Sequence, residues 1–244
     1  MIPEYILEEE KEHHYYRIIL IALISTFLGF FIAQKLFPSQ VDILAPVFAA
    51  IPIVYPLTAK LLDDEKENRN YVPEIKSYGA IFTGQVLAFF SIALVLTEKF
   101  SLQREIIGIT GYATQSSATF TSILINNLTV FAAIFILSII TASAGAFILT
   151  WNASVMGIFF AHLVTQLPND ISLLLGTSET PSPIAYLPHS TFEMTGFIIA
   201  GISGTLISAA LYRKHFEKEN ALKFIKLAAV GLLMVIIGVV LETL

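Results

Sequence analysis

Between Glu105 and Asp170 the chain carries no Asp, Glu, Lys or Arg. A bilayer crossing takes about 20 predominantly apolar residues, so this uncharged stretch is too long for one span and too apolar for a domain bathed in water. The rest of the chain agrees: 55% of the 244 residues are hydrophobic and 14% charged, against roughly 25% charged in a soluble domain. In lipid the backbone must satisfy its own hydrogen bonds, which for apolar runs of this length means helices. The expected fold is therefore all-α, a polytopic transmembrane bundle of six to seven helices forming a single integral membrane domain over residues 1–244.

The first apolar run covers residues 18–37. The segment before it, "MIPEYILEEEKEHHYYR", is acidic and unlike the basic start of a secretory signal, and no small-residue cleavage site follows the run, so it is expected to remain as a first span. A second segment, about residues 41–62, contains Pro46, Pro52 and Pro56. Each proline removes a backbone donor, so this segment is expected to be kinked or partly unwound and to face the bundle.

After the charged linker "DDEKENRN", a third span is expected over 78–97. The hydroxyl- and glycine-rich residues near 105–122 suit a re-entrant or amphipathic segment. The remaining uncharged stretch divides most naturally at "TWN", residues 150–152, because tryptophan favours the interface and asparagine favours turns. That division gives spans at 123–150 and 153–167. A further span begins near Pro188 and ends before Arg213. A basic linker with Arg213, Lys214, Lys218, Lys223 and Lys226 leads to the last, about 227–244.

With seven crossings and the N-terminus inside, eleven of the fourteen Lys and Arg fall on the inner side, and only Lys35, Lys99 and Arg104 fall outside. The positive-inside rule then gives a multi-pass protein of the cytoplasmic membrane with its C-terminus outside. The basic residues sit in short clusters between spans, where they set orientation; no nucleic-acid reader is visible. Cysteine is absent, which removes disulfides, thiol nucleophiles and thiolate metal sites. No phosphate loop, zinc-protease motif or serine nucleophile with partners is present.

Polar residues inside this apolar field are the candidate sites. Glu193 is the acidic residue well inside an expected span, and His189 precedes it by one helical turn, on the same face at i and i+4. An ionisable group at bilayer depth is a functional candidate by default, although such a pair equally serves as a fastening between helices. It could hold a proton, a cation or a polar headgroup. A metal centre would need a third or fourth ligand; His162 is the weak candidate, with His189 and Glu193, and no metal or other cofactor is expected. Asn126, Asn127 and Asn152 are candidates for bridging helices or capping their ends. Gly196, Ala200 and Gly204 recur at i+4 spacing, a face for close helix packing.

Three stretches in this order, "INNLTVFAAIF", "LTWNASVMG" and "LPHSTFE" followed by "IIAGISG", resemble the stage II sporulation protein M family. The resemblance covers about residues 120–244, after N-terminal helices at about 1–104, and is to a divergent member; the acidic, cysteine-free composition with Lys- and Glu-bearing loops would suit an archaeal source. It implies correspondences at Asn126, Asn127, Asn152, Gly157, Pro188, His189, Glu193 and Gly201. Ala153 and Ser190 stand where the family pattern has glycine.

The resemblance also implies function. Members in spore formers are membrane components that work with peptidoglycan-degrading partners during engulfment, and relatives occur in organisms that neither sporulate nor carry peptidoglycan. The expectation is thus a non-enzymatic scaffold or subunit of a membrane-remodelling complex, in the lipid bilayer with a protein partner or as a homo-oligomer. The alternatives are a transporter or translocation component using His189 and Glu193 and, more weakly, a metal-dependent intramembrane hydrolase.

Overall fold

Long apolar runs punctuated by charge or by small polar residues become helices in the computed structural model, which describes residues 15–67, 71–107, 120–142, 144–166, 186–213 and 218–243. The helices are α1 (Tyr15–Leu36), α2 (Val41–Glu67), α3 (Val72–Leu96), α4 (Ser101–Ile107), α5 (Phe120–Ile140), α6 (Ala144–Gln166), α7 (Tyr186–Tyr212) and α8 (Lys218–Thr243), with a single 3-10 turn at Thr97–Lys99. Seven of them, all but α4, are long and apolar enough to cross a membrane. Among the described residues there is no strand. The chain is an all-helical polytopic bundle.

The bundle is built around α7. In its most apolar window 78% of the residues are buried, against 22% for α5, so α7 is the central post and α5 a peripheral one. α7 packs chiefly against α8 and α5, while α1 packs with α2 and α3, and α3 with α6. Contacts fix the directions. Gly196 of α7 meets Gly231 and Val235 of α8 while Glu193 meets Gly238, so α7 and α8 are antiparallel. Gly204 of α7 meets Phe135 and Ser138 of α5 while Glu193 meets Asn127, so α5 and α7 are parallel.

A second packing centre lies where α1 ends and α2 begins. Phe100, fully buried, inserts its ring between Phe30 at 5.8 Å and Phe89 at 6.0 Å, tying α4 to α1 and α3. Such aromatic pairs add a modest stabilisation beyond the area they bury.

The prolines of α2 do not unwind it: the helix continues through Pro46, Pro52 and Pro56. Pro46 is buried, Pro56 half-buried and Pro52 exposed, so only part of this segment faces the bundle. Pro46 cannot donate to the carbonyl of Asp42, one turn earlier. That oxygen instead accepts from Gln103 Nε2 at 2.7 Å, and the Asp42 carboxylate accepts from Ser101 Oγ at 2.8 Å. The hydrogen bond that proline removes is supplied by the fully buried Gln103 of α4.

The division at residues 150–152 is wrong. Trp151 and Asn152 lie inside α6, and the chain turns at Thr141 and Ala142, where Ala144 N donates to Thr141 O at 2.8 Å. Thr205 Oγ1 of α7 holds that turn by donating to Ala142 O at 2.7 Å. The break gives helices of 21 and 23 residues, both long enough to cross, in place of one overlong and one short span. Lys218, Lys223 and Lys226 belong to α8 rather than to a linker. The expected re-entrant or amphipathic segment falls largely on residues 108–119, outside the described residues, as does most of the loop expected over 168–187.

Candidate functional site

Glu193 is the eighth residue of α7, and two other helices close on it. Asn127 of α5 donates from Nδ2 to Glu193 Oε1 at 2.7 Å, between two side chains that are each less than a tenth exposed. From the other side, α8 comes so near at Gly238 that a methyl group there would fall 2.5 Å from Glu193 Cγ and 3.0 Å from the His189 carbonyl oxygen. Only a residue without a Cβ admits this approach. His189, one turn earlier, is equally buried. Pro188 is the third residue of α7, within the first turn, whose backbone amides have no intrahelical acceptor, so its missing donor costs little.

The junction holds one further acid. Glu242 of α8 is half-buried and lies one turn beyond Gly238, the residue that packs on Glu193. Sequence reasoning singled out Glu193 alone inside a span; the signal for Glu242 was its i+4 spacing from Gly238 on the last helix. Glu74 was also missed. It is buried in the first turn of α3 and pairs with Lys60 Nζ of α2 at 3.4 Å.

The other candidates separate by location. Asn126, adjacent to Asn127 and about 100° around α5 from it, is exposed. Asn152 does not reach another helix: its Nδ2 donates to the Ile148 carbonyl of its own α6 at 2.8 Å. His162 is half-buried near the end of α6, and its carbonyl accepts from Thr165 Oγ1. Among the described residues no three or more of His, Cys, Asp and Glu gather in a set that could hold a metal, so His162 does not complete a ligand set with His189 and Glu193.

The small residues mark where backbones touch. A methyl on Gly196 would fall 2.6 Å from Gly231 O, one on Gly204 would fall 2.5 Å from Phe135 O, and one on Gly157 would fall 2.7 Å from Val86 O of α3. Gly201 is looser, with 3.6 Å to Ile134 and 3.7 Å to Leu149. Ala200 is fully buried beside it. Gly231 and Gly238, seven apart on α8, were missed, although a seven-residue glycine spacing places both on one helix face.

A second buried polar contact joins α3 to α6: Gln85 Nε2 donates to Thr150 Oγ1 at 3.0 Å. It borders a cavity of about 10 Å³ lined also by Tyr78, Ile53 and Ile198, room for about one water molecule. This space is far below the several hundred Å³ of a ligand pocket.

Seven apolar helices, one of them a largely buried central post, with polar side chains used between helices, define a multi-pass membrane protein. The chain matches the family described as Stage II sporulation protein M over residues 18–244, and it belongs to that family. The match takes in the N-terminal helices as well as the half that carries the asparagine and Pro-His-x-x-x-Glu elements. No curated protein and no solved structure matches it.

Proposed function

We propose that this chain is a non-enzymatic scaffold, a subunit of an assembly that remodels the membrane or envelope, oriented with its N-terminus inside and its C-terminus outside. The observation that carries this reading is the closure of Glu193. A buried carboxylate that accepts from Asn127 and lies under Gly238 has its contacts inside the protein, as expected of a fastening between α5, α7 and α8. The membership of the family supports the remodelling role. The clustering of Lys60, Glu74 and Arg213 where α2 ends and α7 ends, with Arg213 Nη1 donating to Leu62 O at 2.6 Å, supports that end of the bundle as the basic, inner side.

A scaffold acts through what it holds. Purification from native membranes in mild detergent is expected to recover a different protein in near-stoichiometric amount. Recovery of this chain alone, or of its homo-oligomer alone, would overturn the remodelling-subunit reading.

Glu242 favours one alternative. Two carboxylates on facing helices, with His189 one turn away, could pass a proton or bind a cation within a transporter. Proton or cation flux in proteoliposomes that is abolished by Glu193→Gln supports this alternative; absent flux, or flux unchanged by that substitution, removes it.

A further inference from the structure

The helices fall into two groups by where their backbones touch. In the first, α6 lies on α3, where a methyl on Gly157 would fall 2.7 Å from Val86 O, and α1 lies on α2, where a methyl on Gly29 would fall 2.5 Å from Ala49 N. Gly84 of α3 meets Ile19 O of α1 in the same way. Gln85 and Thr150 join α3 to α6, and Gln103 ties α4 to Asp42 of α2 and Ser154 of α6. In the second group, α7 holds α8 through Gly196, Gly231 and Gly238, and holds α5 through Gly204 and the contact of Asn127 with Glu193. Backbone contacts too close to admit a Cβ leave no slack, so each group is stiff within itself.

The two groups are pinned to each other at the end that carries the turn between α5 and α6. Gly145 of α6 meets Ser138 of α5 and lies against Gly201 of α7, where a methyl would fall 3.2 Å from the Gly201 Cα. Thr205 of α7 donates to Ala142 O in the turn at 2.7 Å, and Arg213 Nη1 donates to Leu62 O of α2 at 2.6 Å. Further from that end the boundary loosens. Gly201 stands 3.7 Å from Leu149, and the small cavity lies among Ile198 of α7, Ala146 and Leu149 of α6, and Ile53 of α2.

Beyond the cavity the boundary opens along both helices. On α7, Thr205, Ile202, Ile198, Met194, Thr191 and Leu187 follow at steps of three and four and share one face. The first three are buried, Met194 is half-buried, and Thr191 and Leu187 are exposed. This is not a helix end bare on all sides, because His189 and Glu193, at the same level on the far side of α7, are buried. On α6, Gly145 and Leu149 are buried, while Asn152, Met156 and Phe160, further along the same face, are half-buried. α6 returns from the turn after α5, which runs parallel to α7, so the open stretches of α6 and α7 lie at the same end. The two helices form a wedge, closed at the turn and open away from it.

We propose that the bundle is hinged at the turn of Thr141 and Ala142, with α5, α7 and α8 rocking as one unit against α1, α2, α3, α4 and α6. The motion widens and narrows the wedge between α6 and α7 at the end away from the turn. A hinge needs a few residues at element ends to absorb the change, and stiff bodies on either side to carry it; the turn supplies the first and the glycine contacts the second. Thr205 and Arg213 keep the pinned end together while the other end moves. The hinge does not rest on the remodelling role; it follows from where the two groups touch and where they part.

The chain has no cysteine of its own, so pairs of spin labels can be placed on the full protein in lipid nanodiscs and their distance distributions read by pulsed electron paramagnetic resonance. All the sites chosen are exposed. Val164→Cys on α6 with Leu187→Cys on α7 spans the open end of the wedge and is expected to give a broad or two-peaked distribution. Val72→Cys on α3 with Tyr212→Cys on α7 spans the two groups at the pinned end and is expected to give one narrow peak. Two further pairs lie at the open end but within a single group: Leu187→Cys with Leu241→Cys on α8, and Val164→Cys with Val95→Cys on α3. Both are expected to be narrow, which separates rocking of the groups from fraying of α7 or α6. A narrow distribution across the open end, or a broad one in any of the other three pairs, would overturn the proposal.

Discussion

Asn127 Nδ2 on α5 lies 2.7 Å from Glu193 Oε1 on α7, and that contact ties a peripheral helix to the central post of the bundle. α5 also buries Phe131, Ile134 and Ser138, so the polar contact acts together with this packing in fixing its position along α7. Interhelical hydrogen bonds in membranes are worth about 0.6 kcal/mol on average and up to about 1.7. The charged or proton-sharing acceptor and the close burial place this one near the upper end.

Gly238 should be intolerant of any side chain. With 2.5 Å to Glu193 Cγ and 3.0 Å to a backbone oxygen, Gly238→Ala must push α8 away from α7, and overpacking of this kind costs about 1–3 kcal/mol. Gly201→Ala meets only side-chain carbons at 3.6 and 3.7 Å and should change stability by less than about 0.5 kcal/mol. Thermal unfolding of the two variants in the same detergent checks the contrast; equal losses would refute the packing described for α8.

The Gln103 substitution for the hydrogen bond lost at Pro46 predicts a rescue. Gln103→Leu strands the Asp42 carbonyl and should destabilise by about 1–3 kcal/mol. Pro46→Ala restores a backbone donor one turn from that carbonyl, so in the Gln103→Leu background it should recover part of the loss. Unfolding midpoints of the single and double variants give the answer, and additive losses would contradict the role assigned to Gln103.

The position of the turn after α5 can be read by labelling. Thr141→Cys is exposed at the end of α5 and should react with a membrane-impermeant maleimide from the inner side only. Asn152→Cys, in the middle of α6, should stay protected. Reaction at 152 rather than 141 would restore the division at "TWN".

Much of the architecture was legible because lipid imposes a simple rule: apolar runs of sufficient length become helices, and six or seven were countable against the seven found. The same rule hid the turn at Thr141 and Ala142, since small residues and hydroxyls sit as comfortably within a membrane helix as at its end. Asn152 drew attention as a turn residue, yet its amide is satisfied by the Ile148 carbonyl of its own helix.

The candidate site was legible in part. Glu193 and His189 stood out by charge at bilayer depth, and Asn127 by amide chemistry. Nothing local to "NN" says which asparagine turns inward, because that depends on how α5 rotates against α7. Glu242 and Gly238 were hidden for a related reason: their meaning lies in antiparallel packing against α7, which joins residues distant in sequence.

The most direct measurement is a double-mutant cycle on Asn127 and Glu193, using Asn127→Ala, Glu193→Gln and the pair, followed by unfolding in one detergent. A fastening predicts that Asn127→Ala costs about 1–2 kcal/mol in the wild-type background and appreciably less beside Glu193→Gln, with a coupling of about 0.5–1.5 kcal/mol. A coupling near zero, with neither substitution lowering stability, would contradict the account and leave Glu193 to be explained by something other than the protein that surrounds it.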